Sequence, residues 1–223
     1  MTPQELKIEA ARAALAHVRN GMSLGLGTGS TAAEFVKQLA GKHLDGIRAT
    51  STSVATEQLA RSFGIGMFPL HEIAPLDLAV DGADEIDPKL RLIKGRGNAL
   101  LREKIVEQAA KKFIVIADES KVVERLGVGA LPVEVTPFAR RVLEVRFHEM
   151  GLSPVLRLLD GVPRMTDEGH VTFDVRVPRD TDIADVVARI RENAGVVDTG
   201  FFPTEASEAI IAGPKGIRTM KRD

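Results

Sequence analysis

The chain has no cysteine, no tryptophan and no tyrosine in its 223 residues. Without cysteine there is no disulfide framework and no thiolate chemistry. Without Trp and Tyr the only aromatic side chains, histidine aside, are nine phenylalanines, which argues against a stacking platform for single-stranded nucleic acid. An excess of charge of one sign is missing too. Thirty Lys and Arg stand against 31 Asp and Glu, for a formal net charge of -1, whereas a nucleic-acid footprint needs a basic surplus or patch. No apolar run approaches the ~18 residues of a membrane span, and Met1 to Asn20 is charged and patterned like a helix rather than a secretory leader. The expectation is a soluble cytoplasmic protein that buries a sizeable core in one large or two small domains.

What the chain does have is concentrated between Asp81 and Lys104. Leu76 to Val80 reads as a short apolar strand ending at Asp81-Gly82-Ala83-Asp84-Glu85. Asp87-Pro88 is a turn signal, and Leu90 to Lys94 returns into the bend Lys94-Gly95-Arg96-Gly97. Residues 98 to 110 follow with apolar Leu101, Ile105 and Ala109 at helical spacing. Carboxylates, a lysine and a glycine-rich bend therefore gather where a buried strand ends, the usual place for a ligand in an open α/β sheet. The pattern suits proton chemistry on a small anionic substrate. The crowded acids also invite a metal reading, and aspartates without a nearby histidine would fit magnesium better than zinc. Lys94 and Arg96 put positive charge at the same place, so no metal is expected.

Upstream, Thr2-Pro3-Gln4-Glu5 is a capping box with proline at the first helical position. The helix it opens has the apolar face Ile8, Ala11, Ala14, Leu15 and Val18, with Asn20-Gly21 as its stop. Lys7 lies at the edge of that face, where a solvated lysine is the ordinary reading. Ser23 to Leu26 is a strand, Gly27-Thr28-Gly29-Ser30-Thr31 a turn, and Ala32, Phe35, Val36 and Leu39 a helical face, with Thr31 and Glu34 spaced as a second capping box. Such a turn offers an anion free amides, hydroxyls and close backbone approach, although a plain tight turn would also want the glycines. It is not a Walker loop. The frame Gly27-Thr28-Gly29-Ser30-Thr31-Ala32 matches the alanine-ending dinucleotide pattern, but the acidic residue expected at the end of the next strand is missing, since Asp45 precedes the strand at 46–51. Thr50-Ser51-Thr52-Ser53 is rich in hydroxyls and reads as a helix cap. Ile65 to Leu70 reads as a further strand.

Phe113 to Ala117 is continuously apolar, as in a parallel sheet covered on both faces, and Asp118 to Lys121 sit at its carboxyl end. Lys121 there suits either an anion or an ordinary loop. From Leu131 the order is strand, helix (138–150), strand (155–159), strand (171–176), helix and strand, a split βαβ arrangement. The segment 161–169 reads as a polar turn, Thr172 and Asp174 as the solvated face of their strand, and His148 and His170 as surface residues.

Taken together, Asp81-Gly82-Ala83-Asp84-Glu85, Lys94-Gly95-Arg96-Gly97, Leu101-Arg102-Glu103-Lys104, Gly27 to Thr31, Ala117 to Lys121 and Leu131 to Val135 resemble the signature of the type A ribose-5-phosphate isomerases over essentially the whole chain. The resemblance implies an α/β fold with a Rossmann-like parallel-sheet domain (1–130 plus 203–223) and a smaller split-βαβ, ferredoxin-like domain (131–202). It implies reversible conversion of D-ribose 5-phosphate to D-ribulose 5-phosphate, a step of the non-oxidative pentose phosphate pathway, with no cofactor, no metal, and a homodimer or homotetramer as the assembly. By the same resemblance Glu103 is the base, and Lys94 with the amides of Gly95, Arg96 and Gly97 stabilises the charged oxygen. Asp81 and Asp84 bind the sugar hydroxyls and help move protons between O1 and O2, with Gly82 and Ala83 beside them on the substrate. Lys7, Ser30, Thr31 and Lys121 hold the phosphate, with Thr28 and Gly29 completing the loop. Two positions depart from the family: Arg96 stands where glycine is frequent, and Asn98, where a small residue is frequent, is expected to cap the helix carrying Glu103. The rivals are a sugar-phosphate sensing module and a nucleotide-dependent oxidoreductase. The first leaves Glu103 and Lys94 without a purpose, and the second lacks its acidic residue.

Overall fold

The structure is a computed structural model describing residues 1–222; Asp223, the last residue of the expected first domain, lies outside them. In chain order the elements are α1 (Pro3–Ala14), β1 (Ser23–Leu26), α2 (Ser30–Ala40), β2 (Arg48–Ser51), α3 (Val54–Ser62), the single turn α4 (Leu70–Ile73), β3 (Leu78–Asp81), the short β4 (Glu85–Ile86) and β5 (Leu92–Ile93), α5 (Leu100–Gln108) and β6 (Phe113–Asp118). The chain continues as β7 (Leu131–Val135), α6 (Arg140–Glu149), β8 (Ser153–Leu156), β9 (Leu158–Leu159), β10 (Val162–Pro163), β11 (Val171–Arg176), α7 (Ile183–Arg191), β12 (Val196–Thr199), β13 (Phe201–Phe202), β14 (Glu208–Gly213) and β15 (Gly216–Lys221).

Six strands form one sheet in the order β15-β14-β6-β3-β1-β2, parallel except for the antiparallel edge strand β15. Strands β1, β3, β6 and β14 are buried at every residue, as their unbroken apolar runs require when both faces are covered. Ala10, Ala11, Phe35 and Val36 of α1 and α2 cover one face, and Leu90, Leu92 and Phe202 the other. The carboxyl ends of β1, β3 and β6 lie side by side, so the segments at 27–31, 81–84 and 118–121 meet along one edge. The order reverses at β1, which is where such sheets open a crevice.

A second sheet, β12-β7-β11-β8, is antiparallel throughout, the split βαβ order read from the sequence. Its core packs Val133 and Phe173 against Leu143, Phe147, Val186 and Ile190 of α6 and α7, with Phe147 edge-on to Phe173 at 6.0 Å. Strand β13 crosses back to pair with β5, and β5 with β4.

Several local expectations fail, each for a visible reason. Helix α1 keeps its capping box but ends at Ala14 and tightens into a 3₁₀ turn through His17; the Leu15 carbonyl accepts from the Val18 amide and from Lys42, the latter at 2.6 Å. Residues 65–70 form no strand, only a bridge from Met67 to Ala49, and Leu70 opens α4. Glu85 and Ile86, just before the Asp87-Pro88 turn signal, form the short strand β4. Residues 153–163 make β8 and then the hairpin β9–β10. Helix α6 starts only at Arg140, after a 3₁₀ turn over 137–139. Thr172 is fully buried, and His170 is no bland surface residue, since its Nδ1 lies 3.0 Å from the buried Glu134 carboxylate.

Helix α5 is the most instructive correction. The expected face of Leu101, Ile105 and Ala109 is not the inner one, and Ile105 is 46% exposed. The buried residues are Leu100, Glu103, Lys104, Val106 and Glu107. The helix lies between the two sheets and touches β3 on one side and β7 and β12 on the other. Lys104 donates to Asp198 Oδ1 at 2.9 Å and to the Thr199 carbonyl at 2.7 Å on β12. Glu103 and Glu107 turn toward the first sheet. Lys104 faces inward with its own partner, the condition for burying charge, whereas Glu103 and Glu107 share the single ammonium of Lys94.

Candidate active site

The turn after β1 is built to leave donors open. Gly29 is the N-cap of α2 at φ 114, a left-handed conformation suited to glycine, and no side chain caps the helix. The expected capping box of Thr31 and Glu34 is therefore absent; Glu34 instead accepts from Gln4 and Lys37. The first amides of α2 stay unpaired by the helix, with the positive end of its dipole behind them. Thr28 turns the other way. Its hydroxyl lies 2.6 Å from that of Thr52 and donates to Ser53 at 2.8 Å, and its amide donates to Asp81 Oδ1 at 3.0 Å. The hydroxyl-rich stretch at 50–53 is thus the footing of the turn. Ser53 also caps α3, accepting from the Thr56 amide.

β3 ends in Asp81, which is buried. Its Oδ1 also accepts from the Gly82 amide at 2.6 Å, and its Oδ2 lies 2.9 Å from Lys94 Nζ. Lys94 enters from the end of β5, buried as well, and donates to the Gly82 carbonyl at 2.6 Å. Its Nζ is 3.2 Å from Glu107 Oε1 and 3.8 Å from Glu103 Oε1. One ammonium thus meets three carboxyl groups. Burial pushes Lys94 toward its neutral form, but Asp81, Glu103 and Glu107 outweigh it and hold the ammonium well above its ordinary pKa. Burial likewise pushes Glu103 up to about 8; Lys94 opposes this, while Asp81 and Asp84 add to it. A carboxyl shielded from water and beside like charges is a poor acid and a stronger base.

A cavity of about 580 Å³ opens above this cluster. Its wall includes Lys7 from α1, Thr28, Gly29, Ser30 and Thr31 from the turn, and Gly82, Ala83 and Asp84 after β3. Lys94, Gly95, Arg96, Gly97, Glu103 and Lys121 complete the sequence-derived set, and Asp118, Glu119 and Ser120 join them. Asp81 is the exception. Of that set it alone does not line the cavity; its carboxylate lies beneath, spent on Lys94 and two amides. Asp84 does line it, and its Oδ2 accepts from the Arg96 amide at 3.0 Å, so that amide is not free for an oxyanion. The Arg96 side chain is half exposed and lies 3.9 Å from both Asp84 and Glu85. Asn98 does not cap α5, whose N-cap is Ala99. It adopts φ 71 and donates to the Met165 carbonyl at 2.9 Å. Among the described residues no group of three or more His, Cys, Asp and Glu is arranged to hold a metal ion.

Two neighbours of this cluster escaped the sequence reading. Glu107 was visible only as the residue one helical turn after Glu103. Arg157, on the loop between β8 and β9, donates to the Gly95 carbonyl at 2.9 Å across the junction of the two sheets; nothing local in its sequence points there.

Fold and site together define an α/β protein that pairs an anion-binding turn with a buried acid–base cluster at the carboxyl edge of a parallel sheet. The chain belongs to the ribose 5-phosphate isomerase A (phosphoriboisomerase A) family, whose model matches residues 48–216. It is 48% identical to the ribose-5-phosphate isomerase A of Sinorhizobium medicae, with 99% of each chain covered, and 44% identical to that of Deinococcus radiodurans over the full length of both. Among solved structures, the Methanocaldococcus jannaschii ribose 5-phosphate isomerase A superposes with a TM-score of 0.92 at 38% identity, covering 99% of this chain and 100% of that one. A D-ribose-5-phosphate isomerase in complex with phospho-erythronic acid superposes with a TM-score of 0.95 at 36% identity, covering 100% of both. None of the described helices is long and apolar enough to cross a membrane.

Proposed function

We propose that the chain interconverts D-ribose 5-phosphate and D-ribulose 5-phosphate through an enediolate, with Glu103 as the base. The observation that carries this reading is the buried Glu103 carboxyl on the cavity wall, 3.8 Å from the Lys94 ammonium. On the open-chain aldose, Glu103 takes the C2 proton, the electron pair forms the C1–C2 double bond, and charge moves onto O1. Lys94 stabilises that oxygen, with the Gly95 and Gly97 amides beside it. Glu103 then returns the proton to C1, and the O2 proton passes to O1, so C1 is reduced as C2 is oxidised and no outside electron acceptor is needed. A base lifted to about 8 suits a task that alternately takes and gives a proton near neutral pH.

At the other end of the cavity, Lys7, Lys121 and the Gly29-Ser30-Thr31 amides and hydroxyls hold the phosphate, whose binding orients the sugar over the base. The phospho-erythronic acid bound to a structural relative supports this layout: it joins a phosphate to an acid group of the kind that resembles a charged enediolate. Asp84 meets the sugar hydroxyls, while Asp81 acts from below by fixing Lys94 and the Thr28 turn. The two sheets correspond to two domains, 1–130 with 203–223 and 131–202. The protein works in the cytoplasm without metal or cofactor, as a homodimer or a tetramer built from it. The assembly is supported by the exposed apolar Val155, Leu158, Leu159, Val162 and Met165 within or next to β8 and the β9–β10 hairpin, since grouped exposed apolar side chains mark interaction surfaces.

Incubation with ribose 5-phosphate alone, after exhaustive EDTA treatment, tests the reading. Ketose should accumulate at the untreated rate. No ketose before or after EDTA would overturn the activity; ketose restored only by an added divalent ion would overturn the metal-free mechanism.

A further inference from the structure

Glu107 has no part in the reaction as described. Yet its side chain is fully buried, its Oε1 is 3.2 Å from Lys94 Nζ, and neither of its carboxyl oxygens has a well-formed hydrogen-bond partner. It stands one helical turn after Glu103 on the inward face of α5, so both carboxyl groups reach the same ammonium. The charged groups facing it are Lys94 from β5, Asp81 from β3 and Glu103 from its own helix. Lys104, the next buried cation along α5, is committed to Asp198 on the far side of the helix.

Charge counting then constrains the cluster. Lys94 offers one positive charge, and Asp81, with two amide donors and the closest approach to Nζ, takes it. A catalytic Glu103 must ionise during the cycle. A third carboxylate in the same dry space would have neither a counter-charge nor donors for its second oxygen, an arrangement proteins avoid. Glu107 can stay in this space only by carrying a proton. As a neutral carboxyl its Oε1, 3.2 Å from Nζ, remains within reach of a Lys94 proton and so restrains the ammonium without neutralising it.

We propose that Glu107 is a positioning residue for the isomerisation: a neutral carboxyl that holds the Lys94 ammonium in line with the developing oxyanion while leaving its charge to Asp81 and the substrate. This rests on the isomerase reading and goes beyond it by giving the fourth acid of the cluster a task and a protonation state. Burial, with Asp81 and Glu103 as neighbours, pushes the Glu107 carboxyl well above its ordinary pKa despite Lys94, in agreement with the geometry.

The test compares Glu107→Ala and Glu107→Gln in the full-length enzyme with ribose 5-phosphate. Loss of a hydrogen bond to a charged group is worth roughly tenfold or more. Glu107→Ala should therefore lower kcat by about tenfold with KM within about twofold. Glu107→Gln keeps a neutral acceptor and should recover most of that loss, with the acid limb of its kcat/KM profile overlying that of the parent. The carboxyl ¹³C shift of Glu107 in the parent enzyme, read at neutral pH, should be that of a protonated acid, a measurement that stands even if Glu107→Ala fails to fold. Full kcat in Glu107→Ala, an acid limb displaced downward in Glu107→Gln, or an ionised ¹³C shift would each overturn the proposal. Failure of the parent enzyme to turn over ribose 5-phosphate would overturn the isomerase reading instead, so the two failures are distinguishable.

Discussion

A β-carbon on Gly27 would stand 2.0 Å from Asp81 Oδ1. The end of β1 and the carboxylate that anchors Lys94 therefore leave no room for a side chain between them, and this fixes glycine at the start of the turn. Gly27→Ala must displace the carboxylate from Lys94 and from the Thr28 and Gly82 amides. Overpacking of this kind costs about 1–3 kcal/mol, so the melting temperature should drop, and kcat should fall with it because Lys94 loses its closest counter-ion. Unchanged kcat in a folded Gly27→Ala enzyme would show that Asp81 does not fix Lys94.

Glu103 as base and Glu103 as a mere early acid on α5 give different results on substitution. An acid near a helix start contributes about 0.3–1 kcal/mol through the dipole, and its loss would leave turnover nearly intact. Removal of a positioned base costs roughly 10²- to 10⁴-fold. Glu103→Gln should therefore lower kcat by at least about a hundredfold while the protein stays folded. Exchange of the C2 proton of bound sugar in D₂O, followed by NMR, should fall in parallel. Exchange at the parent rate would remove Glu103 from the role and turn attention to Asp84.

The same group sets a pH dependence of known sign. The base works ionised, so kcat/KM should climb with pH and level off above about 8. Stability runs the other way. The folded-state pKa lies above the ordinary 4.5, so the folded protein holds a proton that the unfolded chain has released. This contribution is fully present below 4.5 and is lost as pH rises through about 8. Thermal unfolding across that window should show the parent losing stability with pH and Glu103→Gln losing less.

Lys121 stands for the phosphate end of the cavity. Lys121→Ala should raise KM for ribose 5-phosphate and weaken inhibition by inorganic phosphate, with some loss of kcat if phosphate binding also aligns the sugar. Parent kinetics and parent inhibition together would make it an ordinary loop lysine.

The legible parts of this protein were those where local pattern and global role coincide. The apolar run at 113–117, the glycine turn at 27–31 and the alternation at 171–175 each declared an element from its own residues. Helix α5 did not, because its spacing of Leu101, Ile105 and Ala109 implied a single apolar inner face. A helix held between two sheets has two inner flanks, and here they carry Glu103, Glu107 and Lys104, whose burial depends on partners from β3, β5 and β12. Asp81 was legible only in part. Its place at a strand end was plain, but only the folded geometry shows that its carboxylate points under the cavity floor.

The contacts at Asn98 could not have been read locally either, and they lead to the last prediction. Asn98 holds a left-handed conformation, φ 71, which asparagine tolerates better than most residues. Three groups from the second sheet's side of the molecule secure it: the Met165 carbonyl accepts from its amide, and Thr172 and Arg157 donate to its Oδ1 at 3.1 and 3.3 Å. Arg157 also donates to the Gly95 carbonyl and is itself held by both oxygens of Asp174. The bend that brings Lys94 and the Gly95 and Gly97 amides to the cavity is thus clamped from outside the sheet that carries it. Lysine cannot reproduce the forked contact of a guanidinium with a carboxylate and a carbonyl. Arg157→Lys should therefore lower kcat by roughly tenfold, the equivalent of one charged hydrogen bond, with KM nearly unchanged because Lys7, Ser30 and Lys121 are untouched. Thr172→Val, which removes one neutral donor, should have a smaller effect in the same direction. A drop in melting temperature with full kcat in both variants would mean that the second sheet only supports the fold and has no hold on the catalytic bend.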